Sequence, residues 1–185
     1  GAPEILTDLN PELGGVTFGR QEVIRYQARD GVEIEGLMIY PVDYNEGKKY
    51  PLVVYVHGGP ESHHSHGWLS RYSTPGQVMA GKGYLVMYLN YRASTGYGVD
   101  FAMEGLGDPA GKEFDDIADA IDWAVAEKGA EAQGVGLASI GPVKVDVGKV
   151  ENSHGDATPC RALRASTMRV WGWPVGVWGS LPPSR

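Results

Sequence analysis

A single cysteine, Cys160, excludes an intrachain disulfide and any metal site built from several thiolates, and one thiol does not identify a redox compartment. No apolar run approaches the ~18 residues needed to cross a bilayer, so no membrane segment is expected. Basic residues are the scarcer charge, 16 against 23 acidic, and the net charge of −7 argues against nucleic acid or an anionic membrane surface as a partner. The chain also lacks an initiator methionine and opens on Gly1, so a natural N-terminus with any targeting signal is expected to be missing. The compartment is therefore unknown, cytoplasmic or exported. What remains is 185 residues, 42% apolar and 21% charged, ordinary for one soluble globular domain.

Composition breaks near Gly129. All ten tyrosines and all three phenylalanines precede it, whereas three of the five tryptophans, Trp171, Trp173 and Trp178, crowd near the end. Residues 1–129 carry net charge −9 and residues 130–185 carry +2. The second part has no amphipathic period, and its Gly, Pro, Arg and Trp content suits three readings: out-of-frame translation, a misjoined segment, or a disordered extension.

Residues 1–129 are well patterned. Glu22–Arg29 and Glu33–Tyr40 are strand-like runs split by Asp30-Gly31, a two-residue turn signal, and so predict a hairpin. Leu52–Val56 and Tyr84–Tyr91 are continuous apolar runs of the kind buried on both faces of a parallel sheet. Between them Pro75–Lys82 predicts a short helix ending at Gly83. Asp108-Pro109 predicts the start of a longer helix and Gly129 its end, with Phe114, Ile117, Ile121 and Ala124 as the buried stripe and Asp115, Asp116, Asp119 and Asp122 facing water. A hairpin followed by strand, helix, strand, helix implies an α/β fold with a mostly parallel sheet.

One turn carries chemistry. His57-Gly58-Gly59 follows a buried strand at the edge where open α/β sheets bind ligands. Glycines there let backbone N–H groups approach a carbonyl oxygen and stabilise the charge that develops in acyl transfer. A tight turn requiring positive φ explains the same glycines without any function. His63, His64 and His66 are read as a solvated loop, since no Cys, Asp or Glu at ligand spacing joins them; no metal site is expected.

Three motifs in order, Tyr50-Pro51-Leu52-Val53-Val54-Tyr55-Val56-His57-Gly58-Gly59-Pro60, Asn90-Tyr91-Arg92-Ala93-Ser94-Thr95-Gly96-Tyr97-Gly98 and Lys112-Glu113-Phe114-Asp115-Asp116, resemble the prolyl oligopeptidase family of serine peptidases, in its dipeptidyl-peptidase and acylaminoacyl-peptidase branches. The resemblance covers about residues 5–129. It implies a partial α/β-hydrolase fold, the C-terminal half missing, in which His57, Gly58 and Gly59 form the oxyanion-hole part remote from the nucleophile. It implies that Arg92 braces loops around the site, that Ala93 replaces a common glycine, and that no cofactor or metal is needed. It also implies peptide substrates in a full-length parent and an N-terminal β-propeller that this chain lacks.

The family's nucleophile elbow, Gly-x-Ser-x-Gly, should follow the long helix closely, yet no such pattern occurs in the chain. Ser139 is the nearest candidate, but Leu137 stands where the elbow needs glycine, and His154 and Asp156 are too close together to serve as base and acid. Without an elbow strand, the outer edge of the strand Leu52–Val56 is expected to be open. Because tryptophan has one codon, a frame offset by two bases must read glycine across Trp171-Gly172 and Trp178-Gly179; from Thr167 that frame permits an elbow-like sequence. The expectation is an inactive fragment of a serine-type peptidase, with a carboxylesterase-like fragment or a non-catalytic binding fragment as alternatives.

Overall fold

The computed structural model describes residues 6–59, 61–108 and 111–139. After a short 3₁₀ turn at Pro11–Gly15, the chain forms strands β1 (Gln21–Gln27), β2 (Glu33–Ile39) and β3 (Tyr50–Val56). Helix α1 (Gly76–Gly81), strand β4 (Leu85–Asn90), helices α2 (Val99–Met103) and α3 (Lys112–Glu127) and strand β5 (Ala130–Ser139) follow. The strands make one sheet in the order β1-β2-β4-β3-β5, with β4, β3 and β5 parallel and the β1–β2 hairpin added antiparallel to β4. This is a partial α/β-hydrolase fold. No helix among the described residues is long and apolar enough to cross a membrane.

Alternation on β4 explains the layers. Leu85, Met87 and Leu89 face a core shared with Ile117, Ala120, Ile121 and Ala124 of α3. Val86 and Tyr88 face the opposite side, where Ala80 of α1, Leu37, Ile39 and Tyr55 complete a second core. Every residue of β4 is buried, as its continuous apolar run required. Pro51, which cannot donate to a ladder, sits where the β3–β5 register is irregular, between Tyr50 and Leu52.

Three sequence expectations change. The long helix begins at Lys112, not at Pro109, with Gly111 as its N-cap residue. Phe114 lies in its first turn at the rim of the apolar stripe and is partly exposed. The edge of β3 is not open: β5 pairs with it from Tyr50↔Ala130 to Val56↔Ser139, and Val135 packs against the core. The sheet thus continues ten residues past the compositional break at Gly129. Of the compositionally distinct part, 130–185, residues 140–185 lie outside the described residues.

Gly129 itself makes that continuation possible. Its φ of +73° is left-handed, its carbonyl accepts from the Tyr50 N–H at 2.8 Å, and a Cβ there would stand 2.7 Å from the Lys48 carbonyl oxygen. Gly129→Ala should therefore cost about 2 kcal/mol or more, measured as a lower urea midpoint with unchanged slope.

Candidate functional site

Parallel pairing sets the site before any side chain does. Because β4, β3 and β5 run the same way, their C-terminal ends at Asn90, Val56 and Ser139 lie along one edge of the sheet. There the turn His57-Gly58-Gly59 meets the segment Asn90–Thr95. Gly58 and Gly59 are exposed, and Gly59 has φ of +145°, a conformation that strains any residue with a Cβ.

His57 is turned inward and is 4% exposed. Its ring stacks on Tyr91 with centroids 4.6 Å apart, its Nε2 is hydrogen-bonded to Ser94 Oγ at 2.8 Å, and the Tyr91 hydroxyl donates to its carbonyl oxygen. A serine and a histidine at hydrogen-bond distance resemble a nucleophile with its base. Ser94 is fully buried, however, so no substrate carbonyl reaches its Oγ, and the pair holds the turn rather than attacks. Burial pushes the Tyr91 hydroxyl up to about 12, which keeps it a donor at any working pH.

The histidine loop is not uniformly solvated. His63 and His66 are exposed and bond Thr95 and Gln21, but His64 packs edge-to-face against His57, centroids 5.2 Å apart, and against Tyr88. Its Nε2 is buried without a hydrogen-bond partner among the described residues. Burial foremost, then the neighbouring His57, Arg71 and His63, brings the His64 ring down to about 4, and burial lowers His57 too. No group of three or more His, Cys, Asp or Glu among the described residues could hold a metal ion.

Arg92 and Asp116 are the buried charges among the described residues. The Arg92 guanidinium, 2% exposed, gives Nη2 to Asp116 Oδ1 at 2.5 Å and Nε to both carboxylate oxygens, while Nη1 bonds Asp30 in the hairpin turn. The Arg92 backbone N–H also donates to Asp116 Oδ2 at 2.9 Å. The hydrogen bonds that the guanidinium donates to Asp116 above all hold it charged, well above its ordinary value. Burial pushes the Asp116 carboxyl upward and the Arg92 hydrogen bonds oppose that.

Asp116 is thus a correction to the acidic face assigned to water: it is fully buried, and Asp115 and Asp119 pair with Arg29. Spacing could have found it, since 116, 120 and 124 step by four along one side of a helix. The adjoining Ala93 is a second difference. At φ +77° it occupies a left-handed position that costs an L-residue roughly 1–2 kcal/mol, more than a mild departure from glycine. The side-chain partners of Asn90, Tyr91 and Ser94 carried no sequence signal.

Ser139 ends β5 opposite Val56, so the backbone brings it to the edge occupied by His57, Gly58 and Gly59. His154 and Asp156 lie outside the described residues.

The prolyl oligopeptidase family matches residues 70–139. An uncharacterized peptidase, YuxL, of Bacillus subtilis is 38% identical over 109 residues, 59% of this chain and 16% of that protein. Dipeptidyl aminopeptidase BIII of Pseudoxanthomonas mexicana is 37% identical over 128 residues, covering 66% of this chain and 18% of its own. The solved structure of the Pyrococcus horikoshii acylaminoacyl peptidase superposes with a TM-score of 0.62 at 33% identity, over 74% of this chain and 22% of that one. The chain therefore spans under a fifth of the length of these curated relatives.

Two outcomes follow from the buried charges. Asp116→Asn, which keeps shape but leaves the guanidinium with only the half-exposed Asp30, should cost about 3–5 kcal/mol in chemical denaturation. Because His57 and His64 bind protons less readily folded than unfolded, stability is complete above the ordinary histidine value of 6.5 and falls as pH drops towards about 4. His64 alone would account for about 3 kcal/mol of that loss, and His64→Phe should flatten the profile of melting temperature against pH.

Proposed function

We propose that this chain, which belongs to the prolyl oligopeptidase family of serine peptidases, carries the oxyanion-turn part of a peptide-bond hydrolase and is itself catalytically inactive. It is a fragment covering part of the domain. The observation that carries the reading is the His57-Gly58-Gly59 turn, whose glycines are exposed at the edge where the parallel strands end and whose histidine is held by buried side chains. In acyl transfer, N–H groups of such a turn receive the charge on the substrate carbonyl oxygen after a serine attacks, a histidine taking the serine proton. Preorganisation is the useful property: donors already fixed when the charge appears need no reorganisation.

The second half of that chemistry has no candidate of equal quality. No Gly-x-Ser-x-Gly occurs in the chain, and Ser139 stands beside the turn without the glycine two residues before it that an elbow needs. Peptides are the proposed substrate class of the parent protein, as its relatives' names, dipeptidyl aminopeptidase and acylaminoacyl peptidase, suggest. Incubating the chain with a fluorophosphonate should leave every serine unlabelled by intact mass. Stoichiometric labelling that disappears in Ser139→Ala would overturn the inactivity and identify the nucleophile.

A further inference from the structure

We infer that Asn90, backed by Tyr97, is the positioning residue that fixes the far end of the oxyanion turn, so that Gly58 and Gly59 are clamped from both sides. The inference rests on the reading of that turn as an oxyanion donor.

The clamp at the near end is His57, held by Tyr91 and Ser94. At the far end, the Asn90 side chain, 1% exposed, grips the main chain of His64 in both directions: Oδ1 accepts the His64 N–H at 2.7 Å and Nδ2 donates to the His64 carbonyl at 2.9 Å. The second Nδ2 hydrogen goes to the Tyr97 hydroxyl at 2.7 Å, and that hydroxyl donates to Glu35 Oε1 at 2.9 Å. Glu35 is paired with Arg25 at 2.5 Å. Both donor hydrogens of the amide are used, so its orientation is set by chemistry as well as shape. A flipped amide would face two acceptors with an oxygen.

This arrangement does what a strand pairing would do where no strand exists. Asn90 is the last residue of β4, and its side chain offers the His64 backbone a donor and an acceptor side by side, as a neighbouring strand would. The Thr95 N–H adds a bond to the Ser62 carbonyl at 3.0 Å. The turn therefore moves only if β4 or the Asn90 network moves. Burial of the His64 ring against His57 depends on the same grip.

The test is made on the whole chain by NMR, with Asn90→Asp as the isosteric variant. The carboxylate keeps the acceptor for the His64 N–H but sets an oxygen against the His64 carbonyl. Losing the bond to the carbonyl and setting two oxygens against each other should loosen the whole grip, so that opening raises His64 amide exchange about tenfold although its acceptor is kept. The His64 ring should titrate closer to its ordinary value, and the Gly58 and Gly59 amide resonances should shift and broaden while β3 and β4 amides stay protected. Tyr97→Phe, which removes only the hydroxyl between Asn90 and Glu35, should give the same pattern in weaker form if Asn90→Asp does not fold. Gly58 and Gly59 resonances unchanged in both folded variants would overturn the inference. That result would leave the peptidase reading intact, because fluorophosphonate labelling tests it independently.

Discussion

The ion pair between Arg92 and Asp116 is the interaction on which the rest of this edge depends. It joins three elements that share no backbone hydrogen bonds at that point: the end of β4, the buried side of α3 and, through Asp30, the β1–β2 turn. Removing two charges from water is costly unless nearly every lone pair finds a donor. Here both Asp116 oxygens are satisfied, by Nε and Nη2 on one and by Nε and the Arg92 backbone N–H on the other. The backbone bond matters most for shape. It ends β4 where the chain must enter the left-handed conformation at Ala93, and the pair holds that strained residue in place.

From that fixed corner the site follows by short steps. Ser94 is next in the chain, and its hydroxyl reaches His57; Tyr91, one residue before the arginine, stacks on the same ring. The corner therefore sets the imidazole, and the imidazole sets the first residue of the glycine turn. Charge in this region is distributed with care. The buried carboxylate faces the guanidinium, whereas the His57 and His64 rings are held neutral by burial first, then by His63 for both and by His57 and Arg71 for His64. Two neutral imidazoles pack like small aromatics, and their protonation works against the fold.

Much of this was legible in the sequence, for identifiable reasons. Continuous apolar runs and the Asp30-Gly31 turn placed β1 to β4, because burial on both faces and a positive-φ turn leave strong marks on residue choice. The exposed glycines of the turn were readable for the same reason. Asp116 was misjudged because an acid on a helix suggests water unless its spacing is compared with Ala120 and Ala124. His64 was misjudged because a loop of three histidines suggests solvation, and its burial comes from Tyr88 and His57, distant in sequence. The role of Asn90 was invisible, since an asparagine at a strand end is also an ordinary turn residue. β5 was missed because Ala130–Ser139 is rich in small residues and lies across a compositional break; only its pairing with β3 identifies it.

That pairing also constrains where a nucleophile could come from. In a parallel sheet the C-terminal ends of β3 and its parallel neighbour lie side by side, so a serine serving the His57 turn belongs at the end of the strand paired with β3, where Ser139 stands. An elbow written in another frame beyond Thr167 would bring its own entering strand. β4 holds one side of β3 and β5 the other. Any strand that entered an elbow would compete with β5 for that one side of β3. The capacity of this scaffold for acyl transfer is therefore decided by which strand lies against Val53, Val54 and Tyr55, a question of sheet pairing before it is one of catalysis.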